Sequence, residues 1–184
     1  DQVNAYALPG GYLVVFTGLI AEAGSPEEVA AVIGHEMAHV TERHGLRRVV
    51  GSVGLIGVVQ IFLGDAAGLA MAVRDLFTLA AINGYSRDQE TEADLEGIRL
   101  LIAAKISPDG AIRFFQRMKE NQSSLESSGL FDWVSTHPDH SQRIAQLETE
   151  ISGLGRIETR PFDLDWQKVK SRISPPSDQE KTTE

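Results

Sequence analysis

Residues 35–39 read His-Glu-Met-Ala-His, two histidines four apart with a glutamate after the first, inside a segment built to be a helix. Positions i and i+4 share one helix face, so both imidazoles can reach a single metal ion, with Glu36 beside it. This is the H-E-x-x-H arrangement of zinc hydrolases. In that chemistry the metal acidifies a water to a pKa of roughly 7 and polarises the scissile carbonyl, while the glutamate takes the water's proton. The motif requires a helix that holds His35 and His39 toward ligands brought from elsewhere in the chain.

The flanking residues support that helix. Ser25 is a good N-cap, Pro26 suits the first helical position and Glu28 stands where a capping-box acid belongs. Val29, Ala30, Val32, Ile33, Met37, Ala38 and Val40 give a largely apolar, buried helix. Gly45, after Arg43 and His44, is the expected C-terminal stop, so the predicted helix has about 19 residues with the motif in its C-terminal half.

A catalytic zinc takes three protein ligands and leaves the fourth position open. The extended pattern H-E-x-x-H-x-x-G-x-x-H is excluded, because Glu42 stands where its glycine belongs and Gly45 where its last histidine belongs. His44 is one residue short of that place and reads as a helix-end histidine. The remaining class takes a glutamate from a second helix, and the segment from Ser86 to Arg99 is the candidate. Ser86 and Gln89 have capping-box spacing. Glu90 and Asp94 are i, i+4, with Ala93 and Gly97 on the same side, where small residues let two helices approach closely. Glu90 is therefore the expected third ligand, and Asp94 the acceptor for a ligating histidine's other N–H. Glu92 and Glu96 fall elsewhere on the wheel and read as a solvated face.

Asn4–Leu8 and Tyr12–Phe16 are short aromatic and aliphatic runs separated by Pro9-Gly10-Gly11, a β-hairpin pattern. Beside the metal helix, the strand Tyr12, Leu13, Val14, Val15 and Phe16 would offer its edge to an extended peptide through main-chain hydrogen bonds; the alternative is a hairpin that only covers the core. His137 precedes Pro138, which biases it away from helix and marks a turn. Arg143, in the following helix, would hold that loop or an acidic partner. Further helices are expected over 107–120, opened by Ser107-Pro108, and over 140–152, with 121–134 a loop over the cleft.

Four of these segments together resemble metallopeptidase family forty-eight, the gluzincins that include HtpX-type membrane proteases, CAAX prenyl proteases and BepA-type periplasmic proteases. They are Asn4–Gly11, His35–Gly45, Tyr85–Asp94, and Ser135-Thr136-His137-Pro138 with Arg143; they stand in the family's order and span roughly residues 3–150. The resemblance implies an α+β, mainly helical, zincin-like domain with a small N-terminal hairpin beside the motif helix. It implies one Zn2+ per chain on His35, His39 and Glu90, with Glu36 as catalytic base. It also places His137 facing the site, where it supports the transition state in some relatives and is an inhibitory fourth zinc ligand in others. The implied activity is endopeptidase cleavage of polypeptides in protein quality control; the alternative is a chaperone-like or assembly factor with gated proteolysis. By the same resemblance the whole protein is expected to be bacterial and periplasmic or membrane-anchored; the start at Asp1, almost inside the first hairpin, gives the expectation of an excised catalytic domain.

Between the two ligand helices runs an apolar stretch. Val49–Gly64 has 16 residues, short of the ~20 that span a bilayer. Ala66–Ile82 is broken by Arg74 and Asp75. Two readings stay open for 49–82: apolar helices packed on the domain, or an exposed hairpin touching a membrane or an unfolded client. At 184 residues the chain is one domain, read as catalytic over 1–160 with a C-terminal extension over 161–184, disordered from about 175. Seventeen basic against 26 acidic residues give a net charge of −9, which argues against nucleic acid or an acidic membrane surface as principal partner. With no cysteine there is no disulfide framework.

Overall fold

The computed structural model describes residues 2–8, 11–48, 50, 71, 84–120, 137 and 140–173. The apolar stretch 49–82, apart from Val50 and Met71, lies outside the described residues, as do the 121–134 loop and the tail from 174. Among the described residues no helix is long and apolar enough to cross a membrane.

The chain opens with the hairpin. Strand β1 (Ala5–Leu8) pairs antiparallel with β2 (Tyr12–Val15), Ala5 opposite Val15 and Leu8 opposite Tyr12. Phe16, expected in the second strand, is instead the N-cap of α1 (Thr17–Glu22), although its N–H still donates to the Asn4 carbonyl at 3.0 Å. Helix α2 (Pro26–Thr41) carries the H-E-x-x-H motif. Ser25 caps it, its Oγ accepting from the Glu28 N–H at 3.4 Å. Glu28 does not close a capping box. Its carboxylate accepts from the Gly24 N–H at 2.9 Å and from Arg117 Nε at 3.1 Å, fastening the helix start to a later helix.

Gly45 is not the stop of α2. The helix ends at Thr41; the Glu42 and Arg43 N–H groups take the Ala38 and Val40 carbonyls, and Arg43 adopts φ 55°. That left-handed residue turns the chain, which is helical again over 44–48 with Gly45 inside the new turn. The predicted single helix is thus broken near its last turn.

Helix α3 (Arg87–Ala103) begins with the expected capping box: Ser86 Oγ accepts from the Gln89 N–H, and the Gln89 side chain accepts from the Ser86 N–H. It lies against α2 through two glycines. A Cβ on Gly97 would come within 3.1 Å of His35 N, and one on Gly34 within 3.3 Å of the Gly97 carbonyl oxygen. Helices α4 (Asp109–Glu120), α5 (His140–Gly153) and α6 (Trp166–Ile173) complete the described elements. The core is Val3, Ala5, Leu19, Val32, Ile98, Phe114, Phe115, Met118 and Leu147, drawn from the hairpin and from α1 to α5. The last helix had no sequence counterpart; it is pinned by Trp166 Nε1 and Lys170 Nζ donating to the Ala23 carbonyl at 3.2 Å.

Candidate metal centre

Eight of the nine buried polar or charged side chains in the described residues stand in one place: His35, Glu36, His39, His44, Glu90, Asp94, His137 and Arg143, each 8% exposed or less. Burying so many ionisable groups is costly unless they pair with one another or with a cation. Two helices supply most of them. The 3.6-residue repeat puts His35 and His39 on the α2 face that meets α3, and the Gly34–Gly97 contact draws Glu90 and Asp94 up to them.

The donor atoms of His35, His39, Glu90 and His137 all lie within 4.8 Å of one another. His35 Nε2 is 3.0 Å from His39 Nε2, 3.3 Å from His137 Nδ1 and 3.4 Å from Glu90 Oε2, and His39 Nε2 is 3.6 Å from Glu90 Oε1. Tetrahedral donors each about 2.0 Å from a zinc ion would stand roughly 3.3 Å apart. Donor type and spacing therefore fit a metal ion.

Around this cluster sits a ring of supporting contacts. His35 Nδ1 donates to Asp94 Oδ1 at 2.9 Å, leaving Nε2 for the cluster. Arg143 grips Asp94 with Nε at 2.7 Å and Nη2 at 2.6 Å, and its Nη1 is 2.7 Å from Glu90 Oε2. Of the two roles open for Arg143 in the sequence, the acidic partner is the one the geometry displays. Glu36 accepts from the Ala7 N–H at 3.3 Å, and its other oxygen is 3.3 Å from His137 Nε2.

Electrostatics follow from this crowding. Burial pushes the His35 pKa down, but hydrogen bonds to Asp94 and Glu90 outweigh it and raise it to about 9. Burial, and then the charge on His35, hold His39 below its ordinary value. Burial raises Glu36, partly opposed by His137 and His35. Glu90 is lowered: burial would raise it, but hydrogen bonds from His137 and His35 prevail. The result is an acceptor glutamate, Glu90, beside a more basic one, Glu36.

Two neighbours were not legible as part of the site. His44 is more than a helix-end histidine: it is wholly buried, with Nδ1 2.8 Å from His39 Nδ1 and Nε2 3.0 Å from Glu92 Oε2. Glu92 is correspondingly more than a solvated face residue, although Glu96 pairs only with exposed Arg99 among the contacts described. Tyr85 stacks on the His39 ring, centroids 3.7 Å apart and planes 16° from parallel. Its place directly before the Ser86 cap was the available signal. The expected edge residues Tyr12, Leu13, Val14 and Val15 form β2, while the strand that touches Glu36 is β1.

Comparison with known proteins agrees with this geometry. The profile of Peptidase family M48 matches residues 1–151. The mitochondrial metalloendopeptidase OMA1 of Arabidopsis thaliana is 34% identical over 141 residues, 77% of this chain and 28% of that protein. Metalloendopeptidase OMA1 of Homo sapiens is 30% identical over 161 residues, 81% of this chain and 30% of that protein. Metalloprotease YcaL of Escherichia coli is 29% identical over 156 residues, 83% of this chain and 59% of that protein. The chain thus spans between 28% and 59% of the length of these relatives.

Proposed function

This chain belongs to peptidase family M48, and from that premise we propose that it is a zinc-dependent metalloendopeptidase that cleaves extended or unfolded polypeptides in protein quality control. The observation that carries the reading is the buried cluster of His35, His39, Glu90 and His137 with Glu36 at its side. We take residues 1–160 as the catalytic unit and 161–184 as its extension.

In this reading His35, His39 and Glu90 hold one Zn2+. A zinc ion there supplies Lewis acidity, making water more acidic and a carbonyl more electrophilic. Glu36 takes the proton of the attacking water and passes it to the leaving amine; the burial that raises its pKa suits it to both transfers. Asp94, held by Arg143, fixes the His35 ring. The substrate lies along β1. In the antiparallel pair the main-chain groups of Asn4, Tyr6 and Leu8 face β2, as the Phe16-to-Asn4 bond indicates, so those of Ala5 and Ala7 face away from β2, and the Ala7 N–H reaches Glu36. The Ala7 N–H, which donates to Glu36 Oε2 at 3.3 Å, ties this edge of β1 to the site beside which a peptide would pair.

The test is Glu36→Gln, which keeps shape and hydrogen bonds but cannot take a proton. Zinc content should stay at the wild-type level while hydrolysis of an unfolded polypeptide falls at least ~100-fold. Equal turnover by the two proteins would remove Glu36 as the base. A second reading, latent activity gated by His137 as a fourth ligand, is favoured by the 3.3 Å between His137 Nδ1 and His35 Nε2. In the same assay His137→Ala separates the two: a rise in activity means gating, a fall means support of the developing oxyanion.

A further inference from the structure

His39 and His44 meet through their Nδ1 atoms at 2.8 Å, and His44 presents Nε2 to Glu92 Oε2 at 3.0 Å. Of two imidazole nitrogens so close, one carries the hydrogen and the other the lone pair. His39 directs Nε2 into the donor cluster, so as a metal ligand it keeps its hydrogen on Nδ1. His44 Nδ1 is then the acceptor, and its own hydrogen sits on Nε2, donated to Glu92. The direction of the whole chain is set by the metal at one end and a carboxylate at the other. Glu92 is 45% exposed and also accepts from Arg47 Nη1 at 3.3 Å.

We propose that His44 is the positioning residue for the second metal-ligating histidine, and that Glu92 fixes the tautomer of His44. The chain His39–His44–Glu92 would do for His39 what Asp94 and Arg143 do for His35. This rests on the reading of His39 as a metal ligand.

Three observations favour a positioning role over simple core filling. An apolar side chain would fill the space of buried His44 equally well but would leave the His39 Nδ1 hydrogen with no acceptor there, a loss that buried donors rarely bear. The backbone is bent to deliver His44: Arg43 takes φ 55°, left-handed for a residue with a Cβ, and this swings the next residue back over His39. Tyr85 clamps the face of the same ring, so His39 is fixed at edge and face together. His44 is not itself a ligand, because its Nδ1 engages the side of His39 that points away from the cluster and it lies outside the group of converging donors.

The experiment measures zinc affinity of the full chain by competition with a chromophoric chelator, together with the absorption spectrum of the cobalt-substituted protein. His44→Ala should bind zinc 10–100-fold more weakly, roughly the loss seen when such outer partners are removed, and should shift the cobalt bands. His44→Asn, whose Oδ1 can accept at the place of Nδ1, should restore affinity to within about threefold of wild type. Glu92→Ala, at a half-exposed site where folding is not at risk, should weaken zinc binding by about three- to tenfold, and it decides the matter if His44→Ala does not fold. Wild-type affinity and spectrum in His44→Ala, or in Glu92→Ala, would overturn the inference and leave the metallopeptidase reading standing. Loss in His44→Ala without recovery in His44→Asn would likewise overturn it, marking the residue as core filling. A wild-type chain that takes up no zinc would sink the ligand reading itself, and the inference with it.

Discussion

Replacing Gly97 with alanine tests whether helix–helix contact sets the metal geometry. Gly97 lies about two turns beyond Glu90 on α3, and a Cβ there would stand 3.1 Å from His35 N and 3.3 Å from His35 Cα and Gly34 C. All three atoms belong to the α2 backbone, so no rotamer change relieves the contact, and the helices must part by a few tenths of an ångström. Alanine for glycine inside a helix by itself stabilises by about 0.5–1 kcal/mol. Overpacking of this kind costs about 1–3 kcal/mol, so the net effect is a destabilisation of roughly 1 kcal/mol, a fall of about 2–4 °C in Tm. The larger effect falls on the metal. Glu90 would move away from His35 and His39 by more than the ±0.2 Å or so that a zinc ligand set tolerates, and zinc affinity should drop about tenfold. Thermal melts with and without zinc, beside chelator competition, separate the two effects. Gly153→Ala, where the new Cβ meets nothing within 4 Å, is the control and should leave both unchanged or slightly improved. Zinc affinity within about twofold of wild type in Gly97→Ala would refute the claim that this close approach positions Glu90.

Arg143→Met removes a guanidinium held by Asp94 and Glu90 in a site where Arg143 is 4% exposed, and should cost the metal-free protein about 3–5 kcal/mol. Denaturant titration should show a smaller loss with zinc present, because the cation replaces part of the charge around Glu90. At pH 7 the metal-free protein holds His35 protonated, since its pKa is raised to about 9, so zinc uptake should release about one proton from His35. Release should decline, and apparent zinc affinity stop rising, as pH passes about 9; calorimetry in buffers of different ionisation enthalpy measures it.

Much of this was legible because helical chemistry is local. His35, His39, Glu90 and Asp94 share faces by i, i+4 spacing, and the Ser86–Gln89 capping box fixes the register of the second helix within four residues. His137 was reachable only through the family pattern, since a histidine before proline carries no signal of where its turn folds back. What escaped were features set by backbone detail. Glycine is the usual helix stop and points to Gly45, but here Arg43 takes the left-handed conformation instead, which carries His44 into the site. Residue pattern also leaves open which hairpin strand meets Glu36, because that depends on how the pair packs on α2. Glu28 had capping-box spacing, yet the nearness of Arg117, 89 residues away in sequence, drew its carboxylate elsewhere.

The most direct test of the account is metal analysis of the purified chain, wild type beside Glu90→Ala. The account predicts about one zinc per wild-type chain and loss of that zinc on removing the Glu90 carboxylate. A wild-type chain without zinc, or a Glu90→Ala chain that holds it as tightly as wild type, would contradict the three-ligand centre of His35, His39 and Glu90.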